Sequence, residues 1–491
     1  MKLFLKNHTY KYALEQILLM MFPSERPEYP ERPVEGDRCE SSLSEGNLYV
    51  TATCRLILDG SAYSAQARVL RAELTDDLTR DRLLQKIIKL SFYKSSLKSG
   101  CKKPVWGSLT GIRPGKLFSG LLESGISPRS AVSKFCRTYD VSKERAELCL
   151  ATATAGLRQK NLLLSGDICL YIGIPFCPTR CAYCSFVSQS VEKSMGLIPP
   201  FLDALFSEIE ATAEAVNKLS MRPISVYFGG GTPTTLSAEQ LDALCRKLKS
   251  SFNLASVREF TVEAGRPDTI TMEKLATLRA HGVTRISVNP QSMENHVLKA
   301  IGRGHSAEDI ISALDMVRSA GTMAVNMDLI AGLPSDTPAG FSRTLDAVLA
   351  LKPENITVHT LSLKKGTRIT LGESDSPMPS ADDVGIMLDE AQDRLSASEY
   401  LPYYLYRQKF MSGGFENVGW CMPGHENEYN ICIMEELCSI ISMGGGASTK
   451  LVSEVGRIER IFAPKYPKEY IENIDQTIAA KSKIEVFNSA I

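Results

Sequence analysis

No net charge marks this chain: 56 Lys and Arg stand against 56 Asp and Glu in 491 residues. Without an excess of either sign, nothing in the composition calls for an acidic or basic partner, and the basic bias of a nucleic-acid binder is missing. A membrane span is missing at the N-terminus, where the apolar stretch over 1–22 is broken by Glu15 and Gln16 and lacks a small-residue cleavage site. The cysteines number 13, an odd count, and most stand singly in apolar or helical surroundings, as Cys149 and Cys245 do. That is the pattern of reduced thiols, not of a disulfide framework. These absences predict a soluble cytoplasmic protein with neither membrane nor nucleic acid among its partners.

What is present is ordinary globular composition, 44% hydrophobic and 23% charged, with enough length for two or three domains. Residues 1–165 read as a mixed α/β domain of no assignable role, with strand-like stretches at 47–58 and 65–74 and helical patterns at 84–97 and 129–159. The proline-rich, charged stretch 23–37 reads as a surface loop, and the basic turn at 106–118 as a solvated loop ending in a helix cap, with an anion site as the alternative. Over 166–380, short β-branched runs alternate with helical periods. Strands centred on Ile172, Tyr227, Thr261, Ile286, Met327 and Val358 are each followed by one amphipathic helix, such as 238–249, 272–281 and 341–351. The fold class expected is therefore α/β, an incomplete (βα)6 barrel with its working loops at the strand C-termini. Residues 381–491, with a helix at 381–396, a strand-like 402–408 and a glycine-rich tail, form an α+β extension expected to cover the active site.

The loop after the first barrel strand, YIGIPFCPTRCAYCSF, sets Cys177, Cys181 and Cys184 in a C-x3-C-x2-C array, stiffened by Pro175 and Pro178. Three thiolates on one short loop can wrap one 4Fe-4S cubane and leave its fourth iron open to chelate a small molecule through amine and carboxylate groups. A zinc knuckle lacking its fourth ligand, or three unrelated thiols, are the alternatives. VYFGGGTPT at 226–234 follows the second strand, where glycines allow close backbone approach to a ligand, though a tight turn would use them equally. Glu263 ends the third strand in TVEAGRPD, where a ligand or a surface salt bridge would occupy it; Gln291 follows the fourth in RISVNPQSM, and Arg303 lies in KAIGRGHS. Asp328 sits in the apolar NMDLIAGLP, where an unpaired charge would be expensive, so a partner is expected.

The cysteine loop resembles that of the radical S-adenosylmethionine (SAM) superfamily. The order Tyr171, three cysteines, GGGTPT, Glu263, Gln291, Arg303, NMDLIAGLP resembles the oxygen-independent coproporphyrinogen III oxidase (dehydrogenase) family, and the N-terminal region and tail resemble its HemZ-type members. This resemblance implies a cytoplasmic oxidoreductase of porphyrin and haem biosynthesis. It implies a 4Fe-4S cluster and SAM as cofactors, a tetrapyrrole substrate and a low-potential electron donor such as flavodoxin or ferredoxin. It further implies cluster ligation by Cys177, Cys181 and Cys184, and SAM contacts from Tyr171, Gly230, Gly231, Thr232, Glu263, Gln291, Arg303 and Asp328, with Tyr183 against the cofactor. No catalytic residue is assigned.

Two features depart from that pattern. Phe186 stands where the dehydrogenases carry a further cysteine, and GHENEYN, with His425 and Tyr429, partly resembles the His-Asn-x-x-Tyr motif of the HemW-type haem chaperones. By its glycine and charged neighbours His425 reads as an exposed turn. Cys421, Cys432 and Cys438 read as ordinary thiols because their spacing is irregular. GGGAS at 444–448 is a turn or a cover for the site. Lys364, Lys365, Arg368 and Arg407 are candidate rim cations, with solvated surface charge as the simpler reading. Tyr403, Tyr404 and Tyr406 could stack on pyrroles or simply pack a core.

Overall fold

The structure is a computed structural model that describes every residue except 32–34, 112, 185–188, 191–193, 322, 365–366, 372–375, 409–411, 454–455 and 490–491. It divides into two compact units, Met1–Leu150 with Arg407–Phe415, and Ala151–Tyr406 with Glu416–Ile491.

In the first unit, β1 (Lys2–Lys6), β2 (Arg38–Glu45), β3 (Tyr49–Leu58) and β4 (Ser61–Leu70) form one sheet in that order, with β1 parallel to β2 and the other pairs antiparallel. Alternate residues of β3, including Val50, Ala52, Cys54 and Leu56, are buried with helices Lys11–Met21 and Asp77–Lys98 through Leu14, Ile17, Leu18, Ile88 and Phe92. The period of two is what a one-sided strand requires. The helical stretch expected at 129–159 is two helices, Pro128–Tyr139 and Lys143–Leu162, because Asp140 at φ 58° ends the first in the left-handed region. Arg407 is not a rim cation. Its guanidinium stacks over the Trp106 ring at 4.9 Å and donates to the Leu109 carbonyl at 2.5 Å, inside this unit.

The second unit is built on eleven strands. The six expected ones are β5 (Asp167–Ile174), β8 (Arg222–Gly230), β9 (Glu259–Glu263), β10 (Arg285–Ser287), β11 (Ala324–Ala331) and β12 (Asn355–Thr360), paired in parallel in that order. Two-residue strands β6 (Phe176–Cys177) and β7 (Gln189–Ser190) pair with each other in the cysteine-loop region. Helices Ile198–Lys218, Ala238–Ser251, Met272–Ala280, Ala307–Ala320 and Pro338–Leu351 connect the main strands. Capping boxes at Ser237/Gln240 and Ser306/Asp309 start two of them. Almost every residue of β5 is buried, as expected of a parallel strand covered on both faces.

The C-terminal region extends this sheet at both sides. β13 (Leu401–Arg407) and β14 (Glu416–Cys421) lie beyond β12, with β14 antiparallel to it, while β15 (Ser439–Gly444) runs parallel beside β5 and is followed by β16 (Ser448–Val452) and β17 (Ile458–Phe462). The glycines of GGGAS make the β15–β5 junction: a Cβ on Gly444, which has φ +97°, would stand 2.2 Å from the Gly173 carbonyl oxygen, and one on Gly445 2.7 Å from the Pro175 ring. Backbone thus packs on backbone where the cysteine loop leaves β5.

Helix Glu428–Glu435 packs against the sheet face that carries Tyr171 and Tyr227. Tyr429 stacks on Tyr227 at 4.4 Å and on Tyr171 at 6.0 Å. Buried Glu259 accepts from the amides of Glu428 and Tyr429 at 3.1 and 3.3 Å and pairs with Arg285 at 3.4 Å. His425 closes the exposed turn at Pro423 and Gly424, its amide donating to the Met422 carbonyl at 3.0 Å, while the residue itself is half-buried: its carbonyl accepts from Asn355 Nδ2 at 2.7 Å and Arg285 Nη2 at 3.1 Å. Among the described residues, no helix is long and apolar enough to cross a membrane.

Candidate active site at the strand C-termini

The chain leaves β5 through Pro175 and enters the cysteine loop, which is held against the glycine loop after β8. Gly231 and Thr232 donate their amides to the carbonyls of Ile174 and Phe176, each at 2.7 Å. A Cβ on Gly231 would lie 2.3 Å from the Phe176 oxygen, and Gly230 has φ +107° with Ile174 N 2.9 Å from its Cβ position. The triplet therefore serves the close approach of two loops. Thr232 Oγ1 lies 3.4 Å from Cys177 Sγ. Gly231→Ala is expected to force these loops apart, lowering both bound iron per chain and the melting temperature; unchanged iron content and an unchanged melt would contradict it.

Two arginines approach the loop from the other side. Arg303 donates to the carbonyls of Asn289 at 2.6 Å and Gly265 at 3.1 Å and to the Tyr183 hydroxyl at 3.3 Å. Arg266, 3% exposed, reaches Thr179 Oγ1 at 3.0 Å and points Nη1 at Cys181 Sγ from 3.9 Å. Buried His305 lies beside them, and burial followed by the two guanidinium charges pushes its imidazole down to about 3, so the ring is neutral. Arg266 was not singled out from the sequence, although it stands in TVEAGRPD three residues after Glu263.

Across the strand ends lies an acidic pair. Tyr227 donates to Glu263, and Asn326 Nδ2 donates to Asp328 at 2.8 Å. His359 Nε2 is 3.8 Å from Asp328, and its Nδ1 is 3.4 Å from the Tyr406 hydroxyl. Burial, then the Asp328 charge, pushes the Glu263 carboxyl up to about 7. Burial also pushes Asp328 up, but His359, Asn326 and Thr357 outweigh it and hold Asp328 below the usual carboxylate range. The proton of the pair therefore resides on Glu263. Gln291, at φ 66°, is anchored by its amide to the Asp328 carbonyl at 2.8 Å. His359 escaped sequence reading; its signal was an ionisable residue next to the strand centre Val358, on the alternate face.

The structure thus brings Cys177 to Thr232 and Cys181 and Tyr183 to the arginines, and Glu263 to Asp328. Tyr171 stacks with Tyr227 and Tyr429 on the same face. Tyr403 and Tyr404 are buried. Phe186 and Lys365 lie outside the described residues.

The donor set fits an anionic cluster. Two guanidinium groups flank the cysteine loop, and the buried Nε of Arg303 has no hydrogen-bond partner among the described residues. Sγ atoms of Cys177, Cys181 and Cys184 are not among those converging within 4.8 Å of one another, as ligands of a single ion would; a cubane holds its thiolates on separate corners.

Fold and loop together define a radical SAM protein, and the family model of the Radical SAM superfamily matches residues 171–348. The oxygen-independent coproporphyrinogen-III oxidase-like protein HemZ of Bacillus subtilis (strain 168) is 41% identical over 382 residues, covering 77% of this chain and 76% of its own length. The heme chaperone HemW of Mycobacterium tuberculosis (strain ATCC 25618 / H37Rv) is 33% identical over 268 residues, 53% of this chain and 64% of its own. The solved structure of coproporphyrinogen III oxidase (HemN) from Escherichia coli superposes with a TM-score of 0.52 at 24% identity, covering 66% of this chain and 73% of that one, a likeness of fold. The chain belongs to the family of HemZ-type, oxygen-independent coproporphyrinogen-III oxidase-like proteins. Radical SAM proteins use a 4Fe-4S cluster and SAM.

Proposed function

We propose that the chain catalyses the oxygen-independent oxidative decarboxylation of coproporphyrinogen III to protoporphyrinogen IX. The observation that carries this reading is the joining of the cysteine loop to a charged, polar rim, with Arg303 and Tyr183 on one side and Glu263, Asp328 and His359 on the other. The name of the B. subtilis relative points to the same substrate.

Cys177, Cys181 and Cys184 would hold the cluster, and Tyr171, Tyr183, Gly230, Gly231, Thr232, Glu263, Gln291, Arg303 and Asp328 would hold SAM. When bound, these groups supply one low-potential electron and a hydrogen-abstracting carbon radical. Each of two propionate side chains would lose one β-hydrogen atom, carbon dioxide and one electron, leaving a vinyl group. The electron would pass to an external acceptor, and two SAM would be consumed per substrate.

Glu263 gives this reading a pH dependence. In the ligand-free chain its raised carboxyl is protonated below about pH 7, and the stability it contributes is complete below its ordinary 4.5 and lost as pH rises through about 7. The cationic groups of SAM favour the carboxylate, so binding should release a proton. SAM affinity is expected to tighten by up to about tenfold between about pH 6 and pH 8, and Glu263→Gln should flatten that profile in a calorimetric titration. A pH-independent affinity shared by both proteins would remove Glu263 from the site.

The direct test is anaerobic. The reconstituted protein is given SAM, a strong reductant and coproporphyrinogen III, and 5′-deoxyadenosine and tetrapyrrole mass are followed together. Loss of two carbon dioxide units supports the reading; deoxyadenosine without tetrapyrrole change excludes this substrate. Stable haem uptake without deoxyadenosine would make the chain a haem carrier instead, the activity named for its M. tuberculosis relative.

A further inference from the structure

A second set of thiols lies on the tyrosine-bearing side of the sheet, away from the cysteine loop. Cys169 stands in the middle of β5, Cys432 on helix Glu428–Glu435, and Cys438 just before β15. All three are buried, and their sulfur atoms lie within 4.8 Å of one another, Cys169 and Cys438 at 3.8 Å. Among the described residues this is the one such trio of ligand atoms.

Rigid backbone holds each sulfur in place. Glu436, at φ 55°, ends the helix in the left-handed region and turns the chain so that Leu437 donates its amide to the Cys432 carbonyl at 3.1 Å. Cys438 is thereby returned toward Cys432, and β15 then continues in parallel register, Ile440 opposite Cys169. Ile224, Ile440, Tyr227 and Tyr429 close the surroundings. The irregular spacing that made the tail cysteines read as ordinary thiols is undone by the fold for Cys432 and Cys438, while Cys421 stays apart.

We propose that Cys169, Cys432 and Cys438 form a binding site for one soft, thiophilic metal ion of the copper(I) or zinc(II) kind, separate from the cluster. With metal–sulfur bonds of about 2.3 Å, a trigonal site spaces its sulfurs by about 4 Å, which the trio already approaches. Soft thiolates select these ions over hard ones. No fourth His, Cys, Asp or Glu ligand joins the trio among the described residues, which suits three-coordinate copper(I) better than zinc. Ligation moves the thiol protons to solvent, so the metal is held more firmly as pH rises. The ion would tie β5 to the tail helix and β15 beneath the tyrosine stack. This inference is independent of the tetrapyrrole reading.

The test uses the full chain, purified anaerobically from cells grown with added copper or zinc, with metals counted by mass spectrometry. About one copper or zinc per chain beyond the iron is expected, copper retained against chelators more firmly than zinc. Cys432→Ser and Cys438→Ser should lose that ion and keep the iron, whereas Cys245→Ser, at a buried thiol elsewhere, should keep both. Absence of the extra ion from the wild-type chain, or its retention in Cys432→Ser, overturns the proposal. Should the variants fail to fold, alkylation of the wild-type chain decides. Protection of Cys169, Cys432 and Cys438 as a group by the metal supports the site, and equal labelling with and without it overturns it.

Discussion

Cys181→Ala is expected to leave the chain folded but without its cluster, iron falling from about four per chain to near zero and SAM cleavage by more than about 100-fold, the upper range even for losses outside the ligand shell. Cys181 is the middle residue of the array and, at 9% exposure, the deepest of its three thiols. Arg266 points at its sulfur and Arg303 is held beside it through Tyr183, so this sulfur faces two cations. With two thiolates left on a short loop, a cubane has two irons without protein ligands and is lost to solvent or oxidant. Iron and sulfide analysis, the visible absorption of the cluster and deoxyadenosine formation report the outcome. Cys245→Ala provides the comparison, because that thiol is buried in helix Ala238–Ser251 and should give wild-type iron content. A Cys181→Ala chain that still held four irons and cleaved SAM would remove the array from the chemistry.

Lys481→Met should cost about 3–5 kcal/mol, because it strands a charge in the interior. Glu208 is fully buried on helix Ile198–Lys218. Its carboxylate pairs with Lys481 Nζ at 2.8 Å, accepts the Gly444 amide at 2.8 Å and takes a hydrogen bond from the Tyr470 hydroxyl. Lys481 is itself 5% exposed in its side chain and donates to the Ser442 carbonyl at 2.7 Å. A drop of about 5–10 °C in the melting temperature follows for a unit of this size. The double substitution Glu208→Gln with Lys481→Met should recover part of the loss, since no charge is then left unpaired. Because Gly445 abuts Pro175, the single variant should also retain its iron less well. Lys481→Met melting with the wild-type chain would show that the pair contributes nothing.

How far the sequence could be read depended on whether a signal was local. The six barrel strands were legible because each is a short β-branched run with a helical period behind it, and the cysteine array stood out because its three thiols sit within eight residues, 177–184. Asp328 announced its need for a partner by being charged in an apolar run, and His359 met that need from the next strand, where nothing local marked it. β2 went unread because RCESSLSE hides its alternation: Cys39, Ser41 and Leu43 are its buried residues, and a serine on the inner face looks polar in sequence. The thiol trio had no signature at all, since Cys169 and Cys438 are separated by 269 positions. Its meeting depends on β15 pairing with β5, a long-range choice that composition and periodicity do not encode.

That same pairing orders events during synthesis. β5 emerges from the ribosome long before β15, so its flank stays an unpaired edge while some 270 further residues are made, Ile440 eventually meeting Cys169. Gly173, beside which the cysteine loop departs, acquires its Gly444 neighbour only then, and Glu208 waits longer still for Lys481. Iron delivered to a nascent chain would find a loop without its backing. Cluster insertion is therefore expected to follow completion of the chain at least to Lys481, and ribosome-bound nascent chains stalled before β15 should carry no iron even when all three cysteines of the array are already exposed to the assembly machinery.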